Sequence, residues 1–288
     1  MTSKKRAPTF PLPLERLAPL PRRLVIAPGA AAPPPRPDTP RVSRPVLRPQ
    51  RPLQHAAESA ARRDGPTGLG LDSQGVRLRM VERLRRDGLR HEAVLAALAS
   101  VPRHCFVDSA LATQAYEDTS LPLGHGQTIS KPSVVARMLE LLFEGSNARA
   151  SGSLGRVLEI GTGCGYQAAL LAQLSRQVLS VERIKPLHER ARTHLASLRE
   201  HRIRLVYGDG RRGHAPNAPY DSIIAAAGGD ELPPAWFEQL AEGGRLVAPR
   251  LDAKSGAQSL VVVDRTAGGF VQTLCETVLF VPLKSGLD

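Results

Sequence analysis

Three groups of residues in the second half of this chain are of types that hold a small polar ligand. Gly161-Thr-Gly-Cys-Gly165 places three glycines within five positions, where the backbone can approach a ligand closely. Glu182 can accept two hydroxyl hydrogens from a ribose, and Asp209, between Gly208 and Gly210, can accept from an adenine amino group. Each has a plainer reading: a tight turn without a ligand, a solvated carboxylate beside Arg183, and a turn-forming aspartate. All three follow successive apolar runs in the same register, and the ligand that explains them together is an adenosine. The run is not the dinucleotide fingerprint, whose third glycine would fall at position 166, where Tyr166 stands. Glu159, two positions before Gly161, is expected to face the ligand cleft. An anion there suits a cation better than a pyrophosphate, and S-adenosyl-L-methionine, with its sulfonium and amino group, is such a cation.

The elements that must position these residues alternate. Arg156 to Ile160 reads as a strand running into the glycine turn, Tyr166 to Leu174 as a helix, Gln177 to Glu182 as a strand, and Pro186 to Arg199 as a helix opened by proline. Ile203 to Tyr207, Asp221 to Ala226 and Arg245 to Pro249 read as further strands, with a helix starting at Pro233-Pro234 before the last. Repeated alternation predicts an α/β fold: a doubly wound, mainly parallel, Rossmann-like sheet with its ligand beyond the carboxyl ends of the strands. Ser259 to Val263 and Phe270 to Leu283 lack a helix between them, so a C-terminal antiparallel hairpin turned at Gly268-Gly269 is expected. Ahead of the sheet lies a helical subregion. Val76, Met80, Val81 and Leu84 form one stripe, Ala93 to Val101 gives another, and Val135, Met138, Leu139 and Leu142 recur at helical spacing after Pro132.

Composition bounds the rest. Of 25 prolines among 288 residues, 15 fall in residues 1–73, so that stretch is expected to be a disordered or polyproline-like extension and residues 74–288 a single domain. The extension also carries 13 basic and 5 acidic side chains, or +8 of the net +12, which leaves the domain nearly balanced and argues against specific nucleic-acid binding. Three cysteines without a CxxC pair exclude a disulfide framework, and no metal is expected. The longest apolar runs, Leu260 to Val263 and Val278 to Leu283, fall far short of a membrane helix. A soluble, cytoplasmic monomer is the expectation. Cys105 and Cys164 read as packed residues without a histidine partner, and His188, His194 and His201 as a solvated face.

The chain resembles the protein-L-isoaspartate O-methyltransferase family over nearly all of residues 76–287. The resemblance is carried by Val101-Pro-Arg-His-Cys-Phe-Val-Asp108, Leu121-Pro-Leu-Gly-His-Gly-Gln-Thr-Ile-Ser130, Val157-Leu-Glu-Ile-Gly-Thr-Gly-Cys-Gly-Tyr-Gln167, Ser180-Val-Glu-Arg183, Gly208-Asp-Gly210 and Phe280-Val-Pro-Leu283. It implies a seven-stranded methyltransferase sheet that uses S-adenosyl-L-methionine to methylate the free carboxylate of L-isoaspartyl residues in damaged proteins and peptides. The ester then closes to a succinimide, which begins repair. It implies further that Gly161 and Gly163 approach the methionine part, Glu182 the ribose and Asp209-Gly210 the adenine. Thr128-Ile-Ser130 covers the reacting groups, with Ile129 among the cofactor-binding residues and Ser130 the active-site serine. The spacing before Pro132 equally suits Ser130 as a helix N-cap. The chain departs from the family pattern at Ala225-Ala-Ala-Gly-Gly229, at Pro249-Arg-Leu251 and at Lys284. A nucleic-acid methyltransferase with a basic arm, or a binding protein that keeps the fold without turnover, are the rival readings; Ala225 to Gly229 offers no Asn/Asp-Pro-Pro-aromatic grip for a base.

Overall fold

The computed structural model describes residues 73–198, 201–252 and 255–288. The extension expected over 1–73 therefore lies outside the described residues, apart from Ser73. Helix α1 (Ser73–Arg86) turns Met80, Val81 and Leu84 inward, and α2 (Glu92–Ser100) buries Val94, Leu95, Ala97 and Leu98. Two 3-10 turns, Arg103–Phe106 and Ser109–Gln114, lead into a hairpin of β1 (Leu121–Gly124) and β2 (Gln127–Ile129). Nothing in the sequence pattern foreshadows this hairpin, because strands of three and four residues are too short for a period of two to show. Helix α3 (Pro132–Phe143) follows, with proline in its first turn, and then the short α4 (Ser146–Ser151).

The sheet is built from β3 (Arg156–Ile160), α5 (Tyr166–Leu174), β4 (Gln177–Glu182), α6 (Lys185–Ser197), β5 (Ile203–Tyr207), β6 (Tyr220–Ala225), α7 (Pro234–Gln239), β7 (Leu240–Leu251), β8 (Gln258–Thr266) and β9 (Gly269–Val278). Its order is β5-β4-β3-β6-β7-β8-β9. The pairs from β5 through β7 are parallel, and β8 and β9 add antiparallel. Strand progression reverses at β3, which opens a crevice beyond the carboxyl ends of β3 and β6.

Side chains alternate between two buried layers. Val157, Val178 and Ile224 face the layer shared with α2, α3 and α5, whereas Leu158, Leu179 and Ile223 face Trp236 and Val261. Residues of Leu or Ile size contribute about 1.5–3 kcal/mol each when fully buried, so both faces hold the sheet in place.

The sequence placed the last strand over Phe270 to Leu283, but it ends at Val278. Residues 279–288 leave the sheet edge and cross the ligand end. Gly228 anchors them: its N–H donates to the Val281 carbonyl at 3.0 Å, and its carbonyl accepts from the Leu283 N–H at 2.8 Å. A Cβ at 228 would lie 2.9 Å from the Pro249 carbonyl oxygen, so only glycine allows this close approach. The departure at Ala225 to Gly229 thus receives the end of the chain.

Candidate active site

The glycine turn after β3 holds its shape through its own amides. Gly161, Gly163 and Gly165 have φ of 90°, 56° and 92°, in the left-handed region that glycine alone enters freely. The Gly163 N–H donates to Glu182 Oε2 at 2.9 Å, and Glu182 Oε1 accepts from the Ile184 N–H at 2.9 Å. Glu182 is thereby fixed at the end of β4, 5% exposed, on the wall of a cleft lined also by Gly161, Gly163, Gly210, Ala226 and Thr128. Each of its oxygens keeps a second lone pair for a ligand hydroxyl.

Gly210 forms the opposite wall. A Cβ there would meet Ile160 Cγ2 at 2.5 Å, and its carbonyl accepts from Trp236 Nε1 at 2.8 Å. The neighbouring Asp209 behaves as a turn former. Its Oδ1 accepts from the Arg211 N–H at 3.0 Å and its Oδ2 from the Gly286 N–H at 2.8 Å.

Residues 281–284 close the remaining side of the cleft. Beyond them, Arg183 Nε donates to the Gly286 carbonyl at 2.9 Å, Arg183 Nη1 lies 3.3 Å from Asp288 Oδ2, and Tyr207 donates to the Asp288 carbonyl at 3.1 Å. Arg183, given no role of its own in the sequence reading, is the post to which the chain end is tied. No sequence signal marks that role, because its partners lie about a hundred positions away.

Glu159 does not face the cleft. Strand parity puts it on the same side of the sheet as Val157, under α5, where it is 0% exposed. Its Oε2 accepts from Ser180 Oγ at 2.5 Å, Ser180 Oγ lies 2.6 Å from Thr162 Oγ1, and Oε1, near the Gln167 amide, makes no well-formed hydrogen bond among the described residues. Complete burial pushes this carboxyl up to about 8, against the pull of the Ser180 hydrogen bond.

The hairpin side of the cleft is assembled differently. The β1–β2 hairpin lies over the glycine turn, and Arg190 Nη1 on α6 donates to the Leu123 carbonyl at 2.9 Å. Ile129 pairs with Leu121 and is 5% exposed, packed into the core and away from the cleft lining, which Gln127 and Thr128 supply. Ser130 follows at the hairpin's end. It is not the helix cap: that position belongs to Lys131, and the amide of Ser133 is satisfied by Asp118 Oδ1 at 2.8 Å, with Asp118 Oδ2 accepting from Ser133 Oγ at 2.8 Å. Among the described residues none hydrogen-bonds the Ser130 hydroxyl.

Two minor expectations change. Cys105 does have a histidine near it, with His104 Nε2 3.5 Å from Sγ, but burial raises the thiol's pKa and keeps it an inert proton-bearing group. His194 is turned inward, with Nδ1 2.9 Å from the Cys164 carbonyl and its ring edge-on to Phe106.

A buried carboxylate, a glycine turn and a second glycine line one cleft, with the Ser130 hydroxyl on the adjoining loop. The profile of the family described as Protein-L-isoaspartate(D-aspartate) O-methyltransferase matches residues 76–288. The chain belongs to this family. A protein-L-isoaspartate O-methyltransferase of Methylibium petroleiphilum is 58% identical over 286 residues, which cover 99% of this chain and 98% of that relative. One of Dechloromonas aromatica is 54% identical over 219 residues, 76% of this chain and 98% of that relative, so family members occur with little beyond the domain. A structure described as a putative member from Plasmodium falciparum in complex with S-adenosyl-L-homocysteine has the same fold, with a TM-score of 0.62 at 24% identity over 72% of this chain and 98% of that one.

Proposed function

We infer that this protein-L-isoaspartate O-methyltransferase family member methylates the free carboxylate of L-isoaspartyl residues, with S-adenosyl-L-methionine as donor and Ser130 as the residue that orients the acceptor. Glu182 carries the cofactor reading: a buried carboxylate held open by two backbone amides, at the cleft wall, is built to take ribose hydroxyls. When bound, S-adenosyl-L-methionine supplies an electrophilic methyl group on a cationic sulfur. Gly161 and Gly163 admit the methionine part, Gly210 bounds the adenine, and residues 281–284 exclude water. Asp209 supports that wall by pinning Arg211 and Gly286. Glu159 contributes from beneath the glycine turn, through Ser180 and Thr162.

The acceptor carboxylate is ionised near neutral pH, so the chain needs no general base. Its work is alignment, and the free hydroxyl of Ser130 suits it to bond one acceptor oxygen while the other attacks. Residues 74–288 act as the methyltransferase domain, as a monomer, on isoaspartyl proteins and peptides in the cytoplasm, without a nucleic-acid partner; no helix among the described residues is long and apolar enough to cross a membrane. Transfer of a tritiated methyl group is compared on an isoaspartyl peptide, its aspartyl twin and bulk RNA. Base-labile label on the isoaspartyl peptide alone is expected, and label on RNA or on neither peptide overturns the inference.

A further inference from the structure

Arg103 and Glu159 are the two ionisable side chains at 0% exposure among the described residues, and nothing so far gives the arginine work to do. Its guanidinium is spread over two regions. Nε donates to the Ala115 carbonyl at 2.8 Å and Nη2 to the Ser130 carbonyl at 2.7 Å, while Cζ lies 4.9 Å from the centre of the Tyr166 ring. Among the described residues, neither the buried Nη1 nor the Tyr166 phenol oxygen beside the guanidinium makes a well-formed hydrogen bond. Burial pushes that phenol up to about 12, so at neutral pH the ring is uncharged and the contact is a cation over a π-face.

A buried charge with one unsatisfied edge costs stability that an apolar side chain of the same volume would not. What the arginine offers instead is geometry. Ser130 stands on the acceptor loop, and Tyr166 is the residue directly after the Gly161–Gly165 turn, at the position where a dinucleotide site would have glycine. A rigid planar group that holds the first by its carbonyl and rests on the second sets the distance between acceptor and donor.

We propose that Arg103 is a positioning residue for methyl transfer, holding the Ser130 loop at a fixed separation from the glycine turn through the Ser130 carbonyl and the Tyr166 ring. This rests on the reading of Ser130 given above. Transfer demands that the acceptor oxygen approach along one line, and small displacements of the orienting group lower the rate steeply. Among the described residues no other side chain hydrogen-bonds Ser130, so loss of the guanidinium frees its peptide plane.

The test is a double-mutant cycle in the full chain, with Arg103→Met, Arg103→Lys, Ser130→Ala and the two combinations. Melting temperature, calorimetric affinity for S-adenosyl-L-methionine, and kcat and KM for an isoaspartyl peptide are measured. Arg103→Met is expected to stay folded and bind the cofactor within about twofold of wild type, with kcat down at least about tenfold and KM moved less than about threefold. Lysine, which supplies one donor, should recover part of the loss. In the Ser130→Ala background, Arg103→Met should cost less than about a further threefold. Wild-type kcat in Arg103→Met, a loss that multiplies with Ser130→Ala, or a parallel fall in cofactor affinity overturns the proposal. Should the methionine variant not fold, the lysine variant decides by the same cycle, and failure of both to fold makes Arg103 a fold residue and overturns it. Wild type inactive on the isoaspartyl peptide, yet binding the cofactor, marks failure of the functional reading itself, and the positioning role falls with it.

Discussion

The two sides of the cleft are held by different means. On the donor side, the glycine turn, Glu182 and Asp209 Oδ1 are tied to backbone amides within a few residues or beside the neighbouring strand, so most of the wall follows from the sheet, and only the chain end, held by Asp209 Oδ2 and Arg183, comes from far along the sequence. On the acceptor side, the Ser130 loop hangs on side chains reaching from elsewhere: Arg103 to the Ser130 carbonyl, Asp118 to Ser133, Arg190 to Leu123. A wall made of backbone survives most side-chain changes. A loop hung on three side chains can be retuned by one substitution, which suits the half that must meet differing polypeptide acceptors.

The contrast is open to attack at four points. Glu182→Ala should do the most damage, weakening S-adenosyl-L-methionine by about 1–3 kcal/mol, because the charge-assisted bonds are lost and two amides lose their acceptor. Unchanged affinity by calorimetry would remove Glu182 from the site. Ser130→Ala, Asn and Gly should each lower turnover at least tenfold, about 1.4 kcal/mol or more, while cofactor affinity and melting temperature stay near wild type. Since Asp118 caps the helix, a marked drop in melting temperature with normal turnover would return Ser130 to a structural role.

Glu159→Gln probes the donor side through pH. The folded carboxyl titrates near about 8, against an ordinary value of 4.5. Between those values the fold keeps a proton that the unfolded chain releases, so wild-type stability falls as pH rises, by up to about 1.4 kcal/mol per pH unit, and levels off above about 8. Glutamine has no proton to release. Melting temperatures of the pair from about pH 5.5 to 8.5 should therefore diverge in favour of the variant, and a difference independent of pH would show that Glu159 is not retained as a buried acid. The smallest effect is expected from deleting residues 1–72, which should leave kcat and KM on a short isoaspartyl peptide nearly unaltered. A truncated protein that loses most of its turnover would give the extension a part in one side of the cleft.

Strands β3, β4 and β5 begin and end where the sequence puts them, because each is a mainly apolar run bounded by glycine or charge; β3 and β4 are buried on both faces, whereas β5 lies half-exposed at the sheet edge. Glu182 and Gly210 reach the cleft lining for a related reason: Glu182 ends β4 and Gly210 lies just beyond β5, so the sheet fixes their places. Other features depend on partners far along the chain. Phe270 to Leu283 continues to look like a strand, and only the docking of Val281 and Leu283 on Gly228 decides that the sheet stops at Val278. Ser130 looks like a cap until Asp118 is found doing that work from another loop. Glu159 has the composition of a cleft residue, yet the parity of a central strand and the helix above it turn it inward.

The cleft is completed by residues 281–284, which the ribosome makes long after the glycine turn and Glu182. Chains are synthesised from the N-terminus, and domains can begin to fold as they emerge. The parallel core can therefore assemble while one wall of the donor cleft is still being translated or still within the exit tunnel. On the proposed reading, a chain that stops before residue 279 keeps the strands of the sheet but lacks one wall of the cleft, and it is expected to bind S-adenosyl-L-methionine more weakly by calorimetry.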